Sequence, residues 1–354
     1  MYNVKIKLLH IIDSLGKGGA ETLLINSLAY LPYENHLIYL NDECKFEKSL
    51  IHARLSCFFF NNRLLKLPFL ILRLRKYIKK NEITHIHAHL FWSIILARLA
   101  CPSRVKLFFT LHNIQSLSSL KRNWARQLER RTFRKKDILI AVSHEVLNDY
   151  KTIVKNATGH VVYNFIDPGF FSKKTGNKKD PDTFRLIAIG TLKPQKNYEY
   201  MIQVFQLLKK KDEHKITLDI YGDGPLRKNI ENLMRQDELN IELKGTTTDL
   251  KNLLPQYDAF IMSSLNEGCP LSVWEAMASG LPALLSDIPV FREVSAGHAV
   301  FFDTLNPEDC CNKILEMKKH PGAVSSMKED GMKWVSSVAQ PGQYVQNLSA
   351  LYNL

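Results

Sequence analysis

Two glutamates eight positions apart, Glu267 and Glu275, bracket the run Gly268-Cys269-Pro270-Leu271, a glycine and proline turn that opens a helical pattern. That spacing puts Glu267 in a loop and Glu275 about one to two turns inside the helix. Carboxylates at the two places can hold two sets of hydroxyls, with the N–H groups at the helix start suited to a phosphate between them. Three more loops carry glycine: Ser14 to Glu21, which contains Gly18 and Gly19; Gly190-Thr191-Leu192-Lys193-Pro194-Gln195-Lys196-Asn197; and Tyr221 to Arg227, which contains Gly222 and Gly224. Glycine lets backbone approach a ligand closely, and Lys193 and Lys196 supply movable point charge for a pyrophosphate. Taken singly, each of these has a plainer reading. The first loop reads equally as a tight turn, the second as solvated polar chain, the third as a strand end followed by a helix opening on Pro225, and one carboxylate as surface charge. Only the whole constellation points to chemistry.

Loops of this kind need a scaffold that aims them at one place. Short apolar runs alternate with helical patterns along the whole chain, the rhythm of parallel βαβ units. In the first half, 6–12, 37–40, 84–89, 107–111, 138–142 and 161–162 read as strands. A second series follows at 185–189, 217–221, 241–243, 259–262, 283–285 and 299–302, with helices at 198–211, 225–236 and 271–279. The fold class is therefore α/β, with two doubly wound parallel sheets, and 354 residues suffice for two such domains. The polar tract 172–182 reads as the linker. It divides a first domain, 1–171, from a second, 183–340; the helical pattern 341–354, with Tyr344, Val345, Leu348, Leu351 and Tyr352 on one side, can pack back on the first. In open parallel sheets, ligands sit beyond the carboxyl ends of the strands, where all four loops fall.

Six cysteines show neither metal-clip nor disulfide-framework spacing, so they read as reduced thiols of a cytoplasmic protein. The N-terminus lacks a signal-peptide core, and no apolar run approaches the ~20 residues of a spanning helix. Charge is lopsided: residues 1–175 hold 28 Lys and Arg against 12 Asp and Glu, and residues 176–354 hold 20 against 23. The excess gathers in 63–80 and 121–136, where bases mix with aliphatic and aromatic residues. Such segments suit an anionic membrane surface, or simply a solvated helix face. Without a zinc-finger, RNP-like or basic-zipper pattern, nucleic acid is not expected as a partner.

The segment from Glu267 to Glu275 resembles the E-x7-E signature of the group 1, family 4 retaining glycosyltransferases, and the other three loops resemble that family's remaining motifs in order. Residues 7–335 follow the pattern, including Thr110-Leu111-His112-Asn113, Ala141-Val142-Ser143 and Tyr163-Asn164-Phe165-Ile166-Asp167. The resemblance implies a GT-B fold: two Rossmann-like domains facing a cleft, the first for the acceptor and the second for a nucleotide-sugar donor. It implies that Glu267 binds the donor sugar, Glu275 the ribose and Lys196 the diphosphate, assisted by amides of Gly268, Cys269, Pro270–Leu271, Gly18 and Gly19. Gly190, Thr191, Asn197, Gly222 and Gly224 would complete the donor site, and His112 would sit near the reacting sugar.

The resemblance further implies a retaining, front-face reaction in which Lys196 and amides stabilise the leaving diphosphate, with no essential metal and no cofactor. UDP-hexose is the expected donor, with GDP-mannose next, and a saccharide or lipid-linked molecule the expected acceptor, at the inner face of the cell membrane. Two positions depart from the family: Thr191 stands where arginine is common, removing one bidentate phosphate contact, and Phe165 where glycine is common. A sugar-nucleotide epimerase or hydrolase would share the donor site, whereas a non-catalytic lipid- or nucleic-acid-binding protein would need neither glutamate.

Overall fold

The computed structural model describes residues 6–16, 18–41, 52–58, 67–117, 119–171 and 182–354. They form two compact units, 1–165 with 341–354, and 166–340. The first contains β1 (Lys7–Ile12), α1 (Gly19–Leu28), β2 (Glu34–Tyr39), β3 (Arg54–Cys57), α2 (Leu67–Lys80), β4 (His85–His89), α3 (Phe91–Ala100), β5 (Lys106–Leu111), α4 (Asn123–Thr132), β6 (Ile138–Ala141), α5 (His144–Ile153) and β7 (Gly159–Val161). The second contains β8 (Phe184–Ile189), α6 (Tyr198–Lys210), β9 (Ile216–Tyr221), α7 (Arg227–Gln236), β10 (Ile241–Gly245), α8 (Leu250–Leu253), β11 (Ala259–Met262), α9 (Leu271–Ala278), β12 (Ala283–Ser286), α10 (Pro289–Ser295), β13 (Val300–Phe302), α11 (Pro307–Lys319) and α12 (Ser325–Val338). The chain then returns to the first unit as α13 (Pro341–Tyr352). Most of the tract 172–182, and residues 63–66 of the first basic segment, lie outside the described residues.

Every strand pairing is parallel among the described residues. The sheet orders are β3-β2-β1-β4-β5-β6-β7 and β10-β9-β8-β11-β12-β13. These are two Rossmann-like sheets. Both wind outward from their first strand in one direction and then reverse, so each has one switch point, between β1 and β4 in the first and between β8 and β11 in the second. Helices leaving the two strands at such a point go to opposite faces, opening a crevice at the carboxyl edge.

The central strands are buried on both faces because helices cover both. α2 shows how a basic helix is held there: Leu70, Leu74 and Ile78, four apart, are buried, and its bases face outward. Behind β5, the Arg98 guanidinium lies over the Phe109 ring at 4.4 Å, donates to Glu129 Oε1 at 2.7 Å and reaches the Tyr150 hydroxyl at 3.3 Å, tying α3, α4 and α5 into one layer. α13 buries Tyr344, Leu348, Leu351 and Tyr352 in the core of the first unit with Leu8, Phe108 and Ile140.

Three details differ from the sequence reading. β2 starts at Glu34, because parallel pairing with β1 extends the ladder through polar Asn35 and His36. β3 is an edge strand whose sequence, Arg-Leu-Ser-Cys, lacks an apolar run. α7 starts at Arg227 after Leu226 as N-cap, so Pro225 lies ahead of the helix rather than opening it.

Candidate active site

In the second unit the switch point is lined by the loops after β8 and β11, and these bring Lys196 and Glu267 together. Lys196 Nζ donates to Glu267 Oε1 at 2.7 Å, with both side chains largely buried. Ser264 Oγ donates to the same oxygen at 2.6 Å. Both contacts fall on Oε1, which leaves Oε2 for a ligand. The loops are fastened to each other: Leu265 N donates to Gln195 O at 2.9 Å, Gln195 Nε2 to Asn266 O at 2.7 Å, and Ser263 Oγ contacts the Lys196 and Asn197 carbonyl oxygens at 2.9 and 3.0 Å. Asn197 takes the left-handed conformation (φ 53°) that turns the chain into α6, a conformation asparagine tolerates. Beyond Glu267, the buried Gly268, Cys269 and Pro270 lead to Leu271 and α9, whose first turn no side chain caps. The N-terminal N–H groups of α9 therefore emerge beside an ammonium and a carboxylate, a combination that serves a phosphate and sugar hydroxyls at once.

The glycines of this edge have a packing reason. A Cβ on Gly222 would lie 1.9 Å from the Gly190 carbonyl oxygen, and one on Gly224 would lie 2.6 Å from that of Leu192. The loops after β8 and β9 thus cross backbone to backbone, with Leu192 N donating to Asp223 O and Leu226 N to Leu192 O. Thr191 and Lys193 are exposed at the rim. Glu275 is not part of the Lys196 cluster. It lies one turn into α9 near the Asp167–Lys251 ion pair (2.5 Å); burial pushes its carboxyl up to about 7, the Asp167 carboxylate adds to the rise, and Lys251 opposes it.

In the first unit, a cavity of about 200 Å³ opens at the β1/β4 switch point, lined by Asp13, Leu90, Phe91, Ile94, Thr110, Leu111, His112, Asn113 and Gln115. His112, immediately after β5, places Nε2 3.1 Å from His89 Nδ1, and burial depresses its imidazole to about 4. Asp13, at the end of β1, accepts from the Ser93 amide (2.7 Å), the Ser93 hydroxyl (2.6 Å) and the Trp92 amide (3.2 Å), so it caps α3. Burial lifts its carboxyl to about 6 against those hydrogen bonds. Phe91 and Trp92 lie at the start of α3, and Trp92 stacks on the exposed Trp124 with centroids 5.9 Å apart. Gly18 caps α1, and the carboxylate of Glu21 folds onto it; Gly19 has open space where a Cβ would stand.

The expected residues thus fall into three groups: Gly190, Lys196, Asn197, Gly222, Gly224 and Glu267 to Leu271 together, with Thr191 exposed at their rim; Glu275 apart on α9; and His112, Gly18 and Gly19 in the other unit. Sequence reasoning missed Asp13, His89, Ser264 and the Asp167–Lys251 pair. A signal existed for His89: histidine at every second position in His85-Ile86-His87-Ala88-His89 puts three imidazoles on one strand face.

Residues 18–170 match the family model described as Glycosyltransferase Family 4, and residues 170–334 match Glycosyl transferases group 1. The chain belongs to the group 1 glycosyltransferases. This glycosyltransferase is 26% identical to "Putative glycosyltransferase EpsF" of Bacillus subtilis, over 98% of this chain and 96% of that protein. It is 29% identical to the O-antigen biosynthesis glycosyltransferase WclY of Escherichia coli, over 52% of this chain and 53% of that one. Its backbone follows HepE of Anabaena, solved in complex with UDP and glucose, with a TM-score of 0.81 at 17% identity, covering 98% and 99% of the two chains.

Proposed function

We propose that this glycosyltransferase transfers a hexose or N-acetylhexosamine from a UDP-sugar to a saccharide or lipid-linked acceptor, with retention, in the assembly of a surface polysaccharide or glycolipid. The Lys196–Glu267 pair at the switch point beside the uncapped α9 carries the reading. Lys196 holds the diphosphate, Glu267 Oε2 the donor-sugar hydroxyls, and Glu275 the ribose. As the C1–O bond to the diphosphate breaks, a C1–O bond to the acceptor forms on the same face, and the departing phosphate oxygen takes the acceptor proton. Ammonium and amides then supply the charge stabilisation that a divalent ion gives elsewhere. The choice of UDP is supported by the HepE complexes with UDP and UDP-glucose, and by 32% identity over 115 residues to an Escherichia coli galactosyltransferase named for UDP-Gal and a diphosphoundecaprenol acceptor. GDP-mannose is the second choice.

The cavity beside His112 serves the acceptor side, and the aromatic group of Phe91, Trp92 and Trp124 offers faces to a pyranose. For a lipid-linked acceptor, a membrane contact is provided by α2, which exposes Phe69 and Leu72 beside Arg73, Arg75 and Lys76, and by the basic α4. No helix among the described residues is long and apolar enough to cross a membrane. The test is thermal unfolding in EDTA against UDP, GDP, ADP and their sugars, since a ligand that favours the native state raises the melting point by mass action. Stabilisation by UDP and its sugars, lost in Glu275→Ala, is the expected result. No response to any nucleotide in EDTA, followed by a response once magnesium or manganese is added, overturns metal independence; no response under either condition overturns the donor assignment.

A further inference from the structure

His112 is the outer end of a string of imidazoles that runs into the core. Its Nε2 lies 3.1 Å from His89 Nδ1, His89 Nε2 lies 3.4 Å from His10 Nδ1, and His10 Nε2 ends buried with no hydrogen-bond partner. His89 and His10 are only 2% and 1% exposed. Burial holds all three imidazoles far below their ordinary range, so each is neutral at physiological pH.

A neutral imidazole has one N–H and one bare nitrogen. With two contacts joining three rings, the protons must all run the same way. Pointing inward, they would strand an N–H on His10 Nε2 in the core without an acceptor. Pointing outward, they leave only a lone pair there, and an orphaned buried donor is the rarer and costlier defect. The outward order has His10 Nδ1–H donating to His89 Nε2 and His89 Nδ1–H donating to His112 Nε2, so the proton of His112 sits on Nδ1.

We propose that His89 and His10 are positioning residues that lock His112 in its Nδ1–H tautomer, so that it offers the ligand in the neighbouring cavity a hydrogen-bond donor. Its target is then an oxygen lone pair, on a sugar hydroxyl or a carboxylate, and it does not act as the base for an acceptor hydroxyl. A metal centre is the competing use of these rings, because nitrogens of His10, His87 and His89 lie within 4.8 Å of one another. His87, however, engages both its nitrogens, at 2.6 Å with the Tyr352 hydroxyl and 2.6 Å with Thr110 Oγ1.

The identification of the ligand with a sugar rests on the proposed function; the tautomer lock does not. The test is a long-range ¹H–¹⁵N spectrum of the full-length protein with ¹⁵N-labelled histidine at pH 7, with His112 assigned by its loss in His112→Ala. A protonated Nδ1 and bare Nε2 on His112 are expected, and in His89→Ala a shift toward the Nε2–H form with a roughly tenfold fall in kcat, the size of one lost buried hydrogen bond, at unchanged KM for the donor. An Nε2–H signature in the wild type overturns the proposal, a reading that needs no variant to fold. So does a tautomer indifferent to His89→Ala, and so does zinc binding by the purified protein with coordination shifts on His10, His87 and His89. If the tautomer behaves as stated while His112→Ala transfers sugar at the wild-type rate, the lock stands and the placement of His112 at the sugar fails.

Discussion

The two sheets are wound to the same order, and at the same place in each the chain sets opposite electrostatics. At the β8/β11 switch point an ammonium and a carboxylate meet at 2.7 Å beside a helix start. At the β1/β4 switch point the groups are an imidazole that burial keeps neutral and a carboxylate, raised to about 6 by burial, that is taken up by the Trp92 and Ser93 amides and the Ser93 hydroxyl at the start of α3. On the proposed function the difference matches two tasks: a leaving diphosphate needs charge fixed in advance, whereas an acceptor hydroxyl needs shape and single hydrogen bonds.

The sharpest way to break the comparison is Lys196→Ala. Removing the ammonium engaged with Glu267 should lower kcat by about 10²–10³, the range for losing one group aimed at developing charge, as read by transfer of labelled sugar. A loss below about tenfold would show that Lys196 does not carry the charge of the leaving group, and exposed Lys193 of the same loop would be tested next.

Glycine separates the two edges next. Gly222→Ala forces a methyl into the Gly190 carbonyl, so a cost of roughly 2–3 kcal/mol and a fall in Tm of about 4–10 °C are expected for a unit of this size. Gly19→Ala meets nothing and should leave Tm within about 2 °C. Equal effects would erase the distinction between a glycine kept for packing and one kept open.

That distinction marks how far sequence reasoning reaches here. The strand and helix rhythm and both sheets, apart from the edge strand β3, were legible because apolar periodicity encodes them locally; only the resemblance implied that Lys196 and Glu267 share a site, and it did not foresee their ion pair. The close crossing of Gly222 over Gly190 was not, since it depends on the register of β8 with β9. Asp13 was hidden for the same reason: an aspartate after one strand acquires meaning only when parallel pairing places β1 beside β4, whereas the alternating histidines of β4 did signal His89.

Glu275 ties the charged edge to pH. Burial raises its carboxyl to about 7, and on the proposed function ribose hydroxyls would donate to its ionised form. UDP affinity should therefore weaken as pH falls below 7, approaching tenfold per unit, and calorimetric titration between pH 6 and 8 measures it. Glu275→Gln should bind less tightly with a flat profile. A wild-type profile equally flat would mean that Glu275 does not bear on the nucleotide.

The smallest effect is expected at the other edge, where titration of Asp13 bears on stability. Its folded pKa, about 6, is raised above the ordinary 3.8. Between those values the native state holds the proton more tightly than the unfolded chain, so this contribution is fully present below about 4 and is lost as pH rises through 6. Asp13→Asn cannot titrate. Its amide oxygen can still accept from Ser93, while its NH₂ would face the Trp92 amide, a fixed cost at every pH. The wild-type advantage in Tm over Asp13→Asn should therefore shrink from pH 4 to 6 and stay constant above 7. Glu275 titrates identically in both proteins, so the difference isolates Asp13. A constant gap from pH 4 to 8 would show that folding does not raise the Asp13 carboxyl, and the contrast drawn between the two edges would lose that support.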